Sequence, residues 1–357
     1  MTDRPDRFRT RPSGDAVLRT TLATCPTPTV PDDQVALYAV DSAGAARTVT
    51  RHQLAEQVDR AAAVMRRLGV QAGDQVALHL PVIPEAAVAL LACTRIGAVP
   101  TTLDTWPTPR PHPHPHPHPH PHPHPHPHPG DELARRRRRH VRLVVTADGG
   151  CHQGAPQDWL ATVDQAFDRA GAATPTAPPI LVVQYGSRPT QRRADHHRWW
   201  HRALAGAAIG TDLTGPTGGE LAAGLRLGLH STDVYWCAAS LEWLVRHPTA
   251  VSGPLAVGAA QVLCEDGDWW ARTGRLWETV HDRGVSVLHA GPDALRDVLS
   301  RSGTDGRQGQ DALDLRRVAV IGGADESELW YWQRERSSAT TATPWELRVG
   351  SSPWAGP

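Results

Sequence analysis

The chain has 357 residues, enough for two domains or one large domain with subdomains, and 40% of them are hydrophobic, which allows a sizeable core. Its 37 Lys plus Arg match its 37 Asp plus Glu, so overall charge points to neither nucleic acid nor a membrane surface. Every basic residue other than histidine is arginine; there is no lysine and no asparagine.

Residues 1–32 read as a loose, Pro/Thr-rich lead-in whose charged start lacks the apolar segment of a secretory signal. A strand is expected over 35–40, a turn at 41–44 and a returning strand at 47–50. Leu54, Val58, Ala61, Met65 and Leu68 recur at three- and four-residue steps. They predict a helix over 54–68 that Gly69 stops. A strand follows over 74–80. Pro84 and Glu85 then open a second helix that ends near Gly97. From 111 to 129 the chain is strict Pro-His alternation, followed by five arginines at 135–139. Further strands are expected at 143–146, 180–183, 233–237, 261–264, 285–288 and 318–321. Helices are expected at 199–204, 276–281 and 292–299. The chain from 333 shows little periodicity. Strand–helix alternation of this kind is the mark of an α/β fold.

The cysteines are Cys25, Cys93, Cys151, Cys237 and Cys264, an odd number without CxxC spacing. That pattern is neither a disulfide framework nor a zinc site and suits a reducing cytosol. No apolar run reaches the ~18 residues of a membrane span, so a cytoplasmic protein is expected.

A set of ordered fragments carries a resemblance. "LGVQAGDQVA" (68–77), "LPVIPE" (80–85) and "ACTRIGA" (92–98) are similar to segments widespread in adenylate-forming enzymes. "VTADGG" (145–150), "WWH" (199–201), "DVYWC" (233–237), "GPL" (253–255) and "AGPDALR" (290–296) resemble the AMP-forming acetyl-CoA synthetase branch. The order is collinear from about residue 33 to 332. The resemblance implies the large N-terminal domain of that superfamily: α/β, with β-sheets flanked by helices and an active site at a domain seam. It is expected here in incomplete form, without the small C-terminal domain that carries a catalytic lysine. The implied organisation is a first α/β part at 33–110, the Pro-His loop with the arginine run at 111–140, the remainder of the AMP-binding domain at 141–332, and an irregular tail at 333–357.

The family couples ATP, acetate and coenzyme A to give acetyl-CoA, AMP and pyrophosphate. Its first step brings anions together and needs Mg²⁺ and cationic or N–H donors on the phosphates. The resemblance therefore implies ATP or AMP, Mg²⁺, a short carboxylic acid and CoA as ligands. The family's phosphate loop corresponds to "LTGPTGGE" at 213–220. Either the loop is deleted and Thr217-Gly-Gly aligns with the segment that follows it, or Thr214, Gly215, Thr217 and Gly218 form a degenerate loop. The adenine loop corresponds to Gly322, Gly323 and Ala324, without the family's Glu-Pro pair. Leu244, Val245 and Trp345 fall at acyl-pocket positions, where Arg246 replaces a glycine and is expected to fill or distort the pocket. His152 stands on the CoA side, where two family arginines are lost. Arginine does not replace a shaped-site lysine. These changes predict a degenerate homologue with no catalytic residue assigned and deficient adenylation.

Two alternatives stay open. One is a non-catalytic binding or scaffold protein, with His112, His114, His116, His118, His120, His122, His124, His126 and His128 as ligands for Zn²⁺, Ni²⁺ or Cu²⁺. A polyproline II rod puts successive tract histidines about 6 Å apart along the axis, and modest bending would bring two or three to one metal. The bland counterparts are a low-complexity surface loop and a tract that turns cationic below pH ~6.5. The other alternative is an active half completed by a separate chain. For the arginine run, a solvated helix face is preferred to nucleic-acid binding.

Overall fold

The computed structural model describes residues 31–103, 141–152, 154–169, 178–186, 196–207, 218–265, 275–291, 315–320, 328–333 and 346–351. Strands β1 (Val35–Val40) and β2 (Ala46–Thr50) form an antiparallel pair around a turn. In that turn Asp41 Oδ1 accepts the N–H groups of Ala43 and Ala45, both at 2.9 Å. Helix α1 (Arg51–Arg67) starts three residues earlier than its apolar periodicity announces. Thr50 and Gln53 close a capping box there: Thr50 Oγ1 accepts the Gln53 N–H at 3.2 Å and Gln53 Oε1 accepts the Thr50 N–H at 3.0 Å. The helix stops as expected. Gly69 takes φ 88°, and the N–H groups of Gly69 and Val70 return to Arg66 and Met65.

Strand β3 (Gln75–His79) leads to α2 (Pro84–Ile96), closed by Gly97 in the left-handed region at φ 71°. Strand β4 (Val99–Thr102) follows. After β5 (Val141–Ala147) come a small ribbon of β6 (Gly150–His152) and β7 (Ala155–Gln157), helix α3 (Trp159–Arg169) and strand β8 (Ile180–Val183). The helix expected at 199–204 is divided between strand β9 (His197–Trp199) and helix α4 (Trp200–Ala205). His197 is held there by Asp164 of α3 at 2.9 Å, a long-range contact that turns this short stretch into a strand end.

Helix α5 (Gly218–Arg226), β10 (Val234–Ala238), α6 (Leu241–Arg246), α7 (Thr249–Ala256) and β11 (Ala260–Cys264) come next. Helix α8 (Arg275–Arg283), β12 (Val287–Ala290), β13 (Arg317–Val320), β14 (Glu328–Gln333) and β15 (Glu346–Ser351) complete the described chain. The segment read as an irregular tail from 333 thus contains β15, which pairs antiparallel with β14. The helix expected at 292–299, the Pro-His tract and the arginine run lie outside the described residues.

The strands form an eight-stranded sheet, ordered β15-β14-β13-β12-β10-β11-β1-β2, and a five-stranded sheet, ordered β4-β3-β5-β8-β9, besides the β6-β7 ribbon. The five-stranded sheet is wholly parallel. In the large sheet β1, β11, β10, β12 and β13 are parallel neighbours. Strands buried on both faces read as continuous apolar runs, as β8 does.

The main core joins α1, α2 and the α5–α7 helices to the inner faces of both sheets. Helices α5 and α7 meet at Gly224 and Gly253. A Cβ built on Gly224 would fall 2.6 Å from Val257 Cγ1 and closer still to the Gly253 carbonyl oxygen. Gly224→Leu is therefore expected to cost about 1–3 kcal/mol by overpacking. Denaturant midpoints of the two proteins check this, and an unchanged midpoint would refute the tight crossing.

Candidate active site

A cleft of about 650 Å³ opens where the carboxyl ends of parallel strands from the two sheets converge. Ala39 and Val40 of β1 and Glu265 after β11 form the wall from the large sheet. Asp148 to Cys151 after β5, Tyr185 and Gly186 after β8, and Val82 to Pro84 at the start of α2 form the other. A crevice outside the carboxyl ends of parallel strands is where open α/β sheets bind ligands.

Four carboxylates line the cleft: Asp41, Asp148, Asp158 and Glu265. Each also has a local structural role. Asp41 shapes the β1–β2 turn. Asp148 Oδ1 accepts the N–H groups of Tyr185 at 2.7 Å and Gly186 at 2.6 Å. Asp158 Oδ1 accepts the Ala161 N–H at 2.8 Å in the first turn of α3. Glu265 is only 5% exposed. Its Oε2 accepts the Ser42 N–H at 2.8 Å and its Oε1 accepts the Cys151 N–H at 2.5 Å. Burial first, and then the neighbouring Glu265 carboxylate, push the Tyr185 phenol above its ordinary range and keep it protonated. Among the described residues Arg47 is the one arginine on the cleft lining, and it already contacts both oxygens of Glu85 at 2.8 Å. A wall of this sign repels polyphosphate unless cations accompany it.

Beside the cleft, Trp159 packs edge-on against His79 and His152, with ring centroids 4.9 and 6.2 Å apart. Burial, with His152 adding to it, pushes the His79 imidazole down to about 3, so it is neutral at physiological pH. Burial likewise pushes the thiols of Cys93 and Cys237 up to about 12, which removes both as thiolate nucleophiles. Among the described residues no group of three or more His, Cys, Asp or Glu could hold a metal ion, and no helix is long and apolar enough to cross a membrane.

Of the sequence-predicted positions, Gly218, Leu244, Val245 and His152 are among the described residues, and none of these lines the cleft. Thr214, Gly215, Thr217, Gly322, Gly323, Ala324, Trp345 and the tract histidines lie outside the described residues. Gly218 opens α5. Leu244 and Val245 are buried in the main core and do not line the cleft. Arg246, expected to fill the acyl pocket, is exposed and lies 3.6 Å from Glu242 one turn earlier. The helical repeat gives positions 242 and 246 to solvent and Leu241, Leu244 and Val245 to the core. His152 is half-buried on β6, next to the cleft-lining Cys151. Sequence reasoning missed Glu265, Tyr185 and Asp158. A readable signal for Glu265 was an acidic residue placed directly after the apolar run Val262-Leu263-Cys264 of β11.

The comparisons with known proteins agree with this architecture. The family profile described as AMP-binding enzyme matches residues 28–112 and 204–342, more than half of the chain. Acetyl-coenzyme A synthetase of Streptomyces coelicolor is 31% identical over 89% of this chain and 50% of its own length. The Methanothrix thermoacetophila acetyl-coenzyme A synthetase is 27% identical over the same shares. Acetoacetyl-CoA synthetase from Streptomyces lividans superposes with a TM-score of 0.61 at 22% identity, covering 86% of this chain and 46% of that one, which speaks for the fold. The chain spans about half the length of the curated relatives it matches. With one parallel and one mixed sheet, their shared crevice and the match on both sides of the Pro-His tract, the chain belongs to the AMP-binding enzyme family.

Proposed function

We infer that this protein is an acetyl-CoA synthetase-like member of the family, deficient in forming the acyl-adenylate with these 357 residues; any ligand that it still takes is an adenine nucleotide or a short carboxylic acid. The observation that carries the reading is the segment at 213–220. At the place of the family's phosphate loop it offers Thr214, Gly215, Thr217 and Gly218 without a lysine, in a chain that has none. Adenylation joins two anions, and removing one preorganised donor from such a site costs on the order of 10²–10³ in rate. The loss of the Glu-Pro pair at Gly322, Gly323 and Ala324 alters the adenine loop, and the change at His152 removes two cationic donors on the CoA side. The acidic cleft adds to this, because its carboxylates favour Mg²⁺ and disfavour bare phosphate.

Acetate- or propionate-dependent ATP–pyrophosphate exchange on the purified, folded chain with Mg²⁺ tests the reading. No exchange above a no-acid control is expected. Exchange above that control would show that residues 214–218 or another loop still holds the phosphates, and the deficiency would be abandoned.

A second reading draws on the nine histidines at alternate positions from 112 to 128. It makes the protein a binding or scaffold element that takes Zn²⁺, Ni²⁺ or Cu²⁺ there, imidazole being the commonest metal ligand. Sub-micromolar metal retention without nucleotide binding would favour it over the first. Both readings place the protein in the cytosol, where five cysteines without paired spacing stay reduced.

A further inference from the structure

The two walls of the cleft are joined through Glu265. Its backbone N–H donates to the Val40 carbonyl at 3.0 Å, and its carbonyl accepts from the Val82 N–H at 3.2 Å. Its side chain makes a second, separate connection. One oxygen takes the N–H of Ser42, in the β1–β2 turn of the large sheet. The other takes the N–H of Cys151, on the ribbon that follows β5 of the small sheet. The Tyr185 phenol, from the loop after β8, neighbours this carboxylate, which together with burial pushes it above its ordinary range. Gly150 makes the approach possible: a Cβ there would lie 3.1 Å from Glu265 Oε1 and 2.9 Å from Trp159 Nε1.

The geometry points to the Glu265 carboxylate as a latch that sets the width of the cleft, with the backbone bonds to Val40 and Val82 as the fixed side about which it opens. The latch is acceptor-only. Two backbone donors from two loops meet one carboxylate, and each oxygen is already committed to one of them. Opening separates Ser42 from Cys151 and uncovers the Cys151 thiol, which lines the cleft and is half-buried. The inference does not depend on nucleotide binding or on turnover.

Glu265→Gln tests it with little change in volume. Whichever oxygen becomes an NH₂ group faces a backbone N–H, so one of the two sheet contacts must break. The readout is the rate at which a thiol reagent labels Cys151, resolved by peptide mass spectrometry from the buried Cys93, Cys237 and Cys264. Labelling about tenfold faster than in the parent is expected, together with lost hydrogen-exchange protection at the Ser42 and Cys151 amides. A folded variant with parental labelling and protection overturns the latch. If the variant does not fold, the parent decides the matter. One carboxylate holding both amides requires Ser42 and Cys151 to exchange with matching protection. Protection differing by more than about tenfold overturns it equally.

Discussion

Acidifying the protein from pH 7 to pH 5 is expected to remove about 4 kcal/mol of folding stability, through two histidines buried as neutral rings. His289 of β12 is fully buried, and its Nδ1 lies 3.1 Å from the Tyr235 hydroxyl. Burial first, and then the Arg317 guanidinium, push it down to about 3, as burial and His152 do for His79. The ordinary value is 6.5. Between 6.5 and about 3 the unfolded chain binds a proton at each site that the folded chain does not. Stability therefore rises with pH through this window and falls as pH drops below 6.5. Each ring contributes about 1.4 kcal/mol per pH unit once below the unfolded value, hence about 2 kcal/mol per histidine at pH 5. Histidines with the same value in both states cancel. Urea unfolding at pH 7, 6 and 5, in the parent and in His289→Gln, measures the effect. The variant should lose about half of the pH slope, and a parent midpoint that does not move with pH would refute the neutral buried pair.

Those two histidines also mark where the sequence is readable and where it is not. Local rules reach the elements whose cause is local. Val35–Val40 and Ile180–Val183 are strands with the bounds their apolar runs predict, and Gly69 and Gly97 end α1 and α2 by taking positive φ. The capping box at Thr50 and Gln53 was equally local, and it explains why α1 begins before its first apolar position. Strand β15 was not legible, because its register comes from β14 across the intervening residues. The same holds for β9, where His197 depends on Asp164, 33 residues earlier.

The site divides along the same line. The resemblance led to the family, and "VTADGG" at 145–150 does reach the cleft through Asp148, Gly149 and Gly150. The latch could not be read in that way, because Ser42, Cys151, Tyr185 and Glu265 are brought together only by two sheets packing edge to crevice. Arg246, expected from its family position to fill or distort the acyl pocket, stands exposed beside Glu242, where the helical repeat of α6 puts it.

Asp233→Ala is expected to destabilise the fold by about 3–5 kcal/mol, the loss seen when one partner is removed from a buried, hydrogen-bonded ion pair. Asp233 is 6% exposed, just before β10. Its Oδ1 accepts from Arg316 Nε at 3.1 Å and from Ser286 Oγ at 2.7 Å, and Oδ2 accepts the His230 N–H at 2.7 Å and pairs with Arg316 Nη2. Burial alone would raise this carboxyl. The bonds from Arg316, Ser286 and His230 outweigh it and hold the value below 3.8, so the stabilisation is present above 3.8 and is lost as pH falls through the lower folded value. That window opens only at 3.8, near the lower end of the histidine window, so the loss between pH 6.5 and about 4 is the histidines' and the Asp233 loss adds to it below. Denaturant midpoints measure the mutation, and a loss under about 1 kcal/mol would mean that the pair is only a surface contact. Double replacement with Arg316→Leu should recover part of the loss, since the cation no longer lies uncompensated. Asp233, Ser286 and Arg316 stand at the amino ends of β10, β12 and β13, and the cleft lies at the carboxyl ends of the parallel strands. The variant should therefore lower global stability while leaving the labelling rate of Cys151 in the folded protein unchanged, which distinguishes a staple of the large sheet from the latch across the cleft.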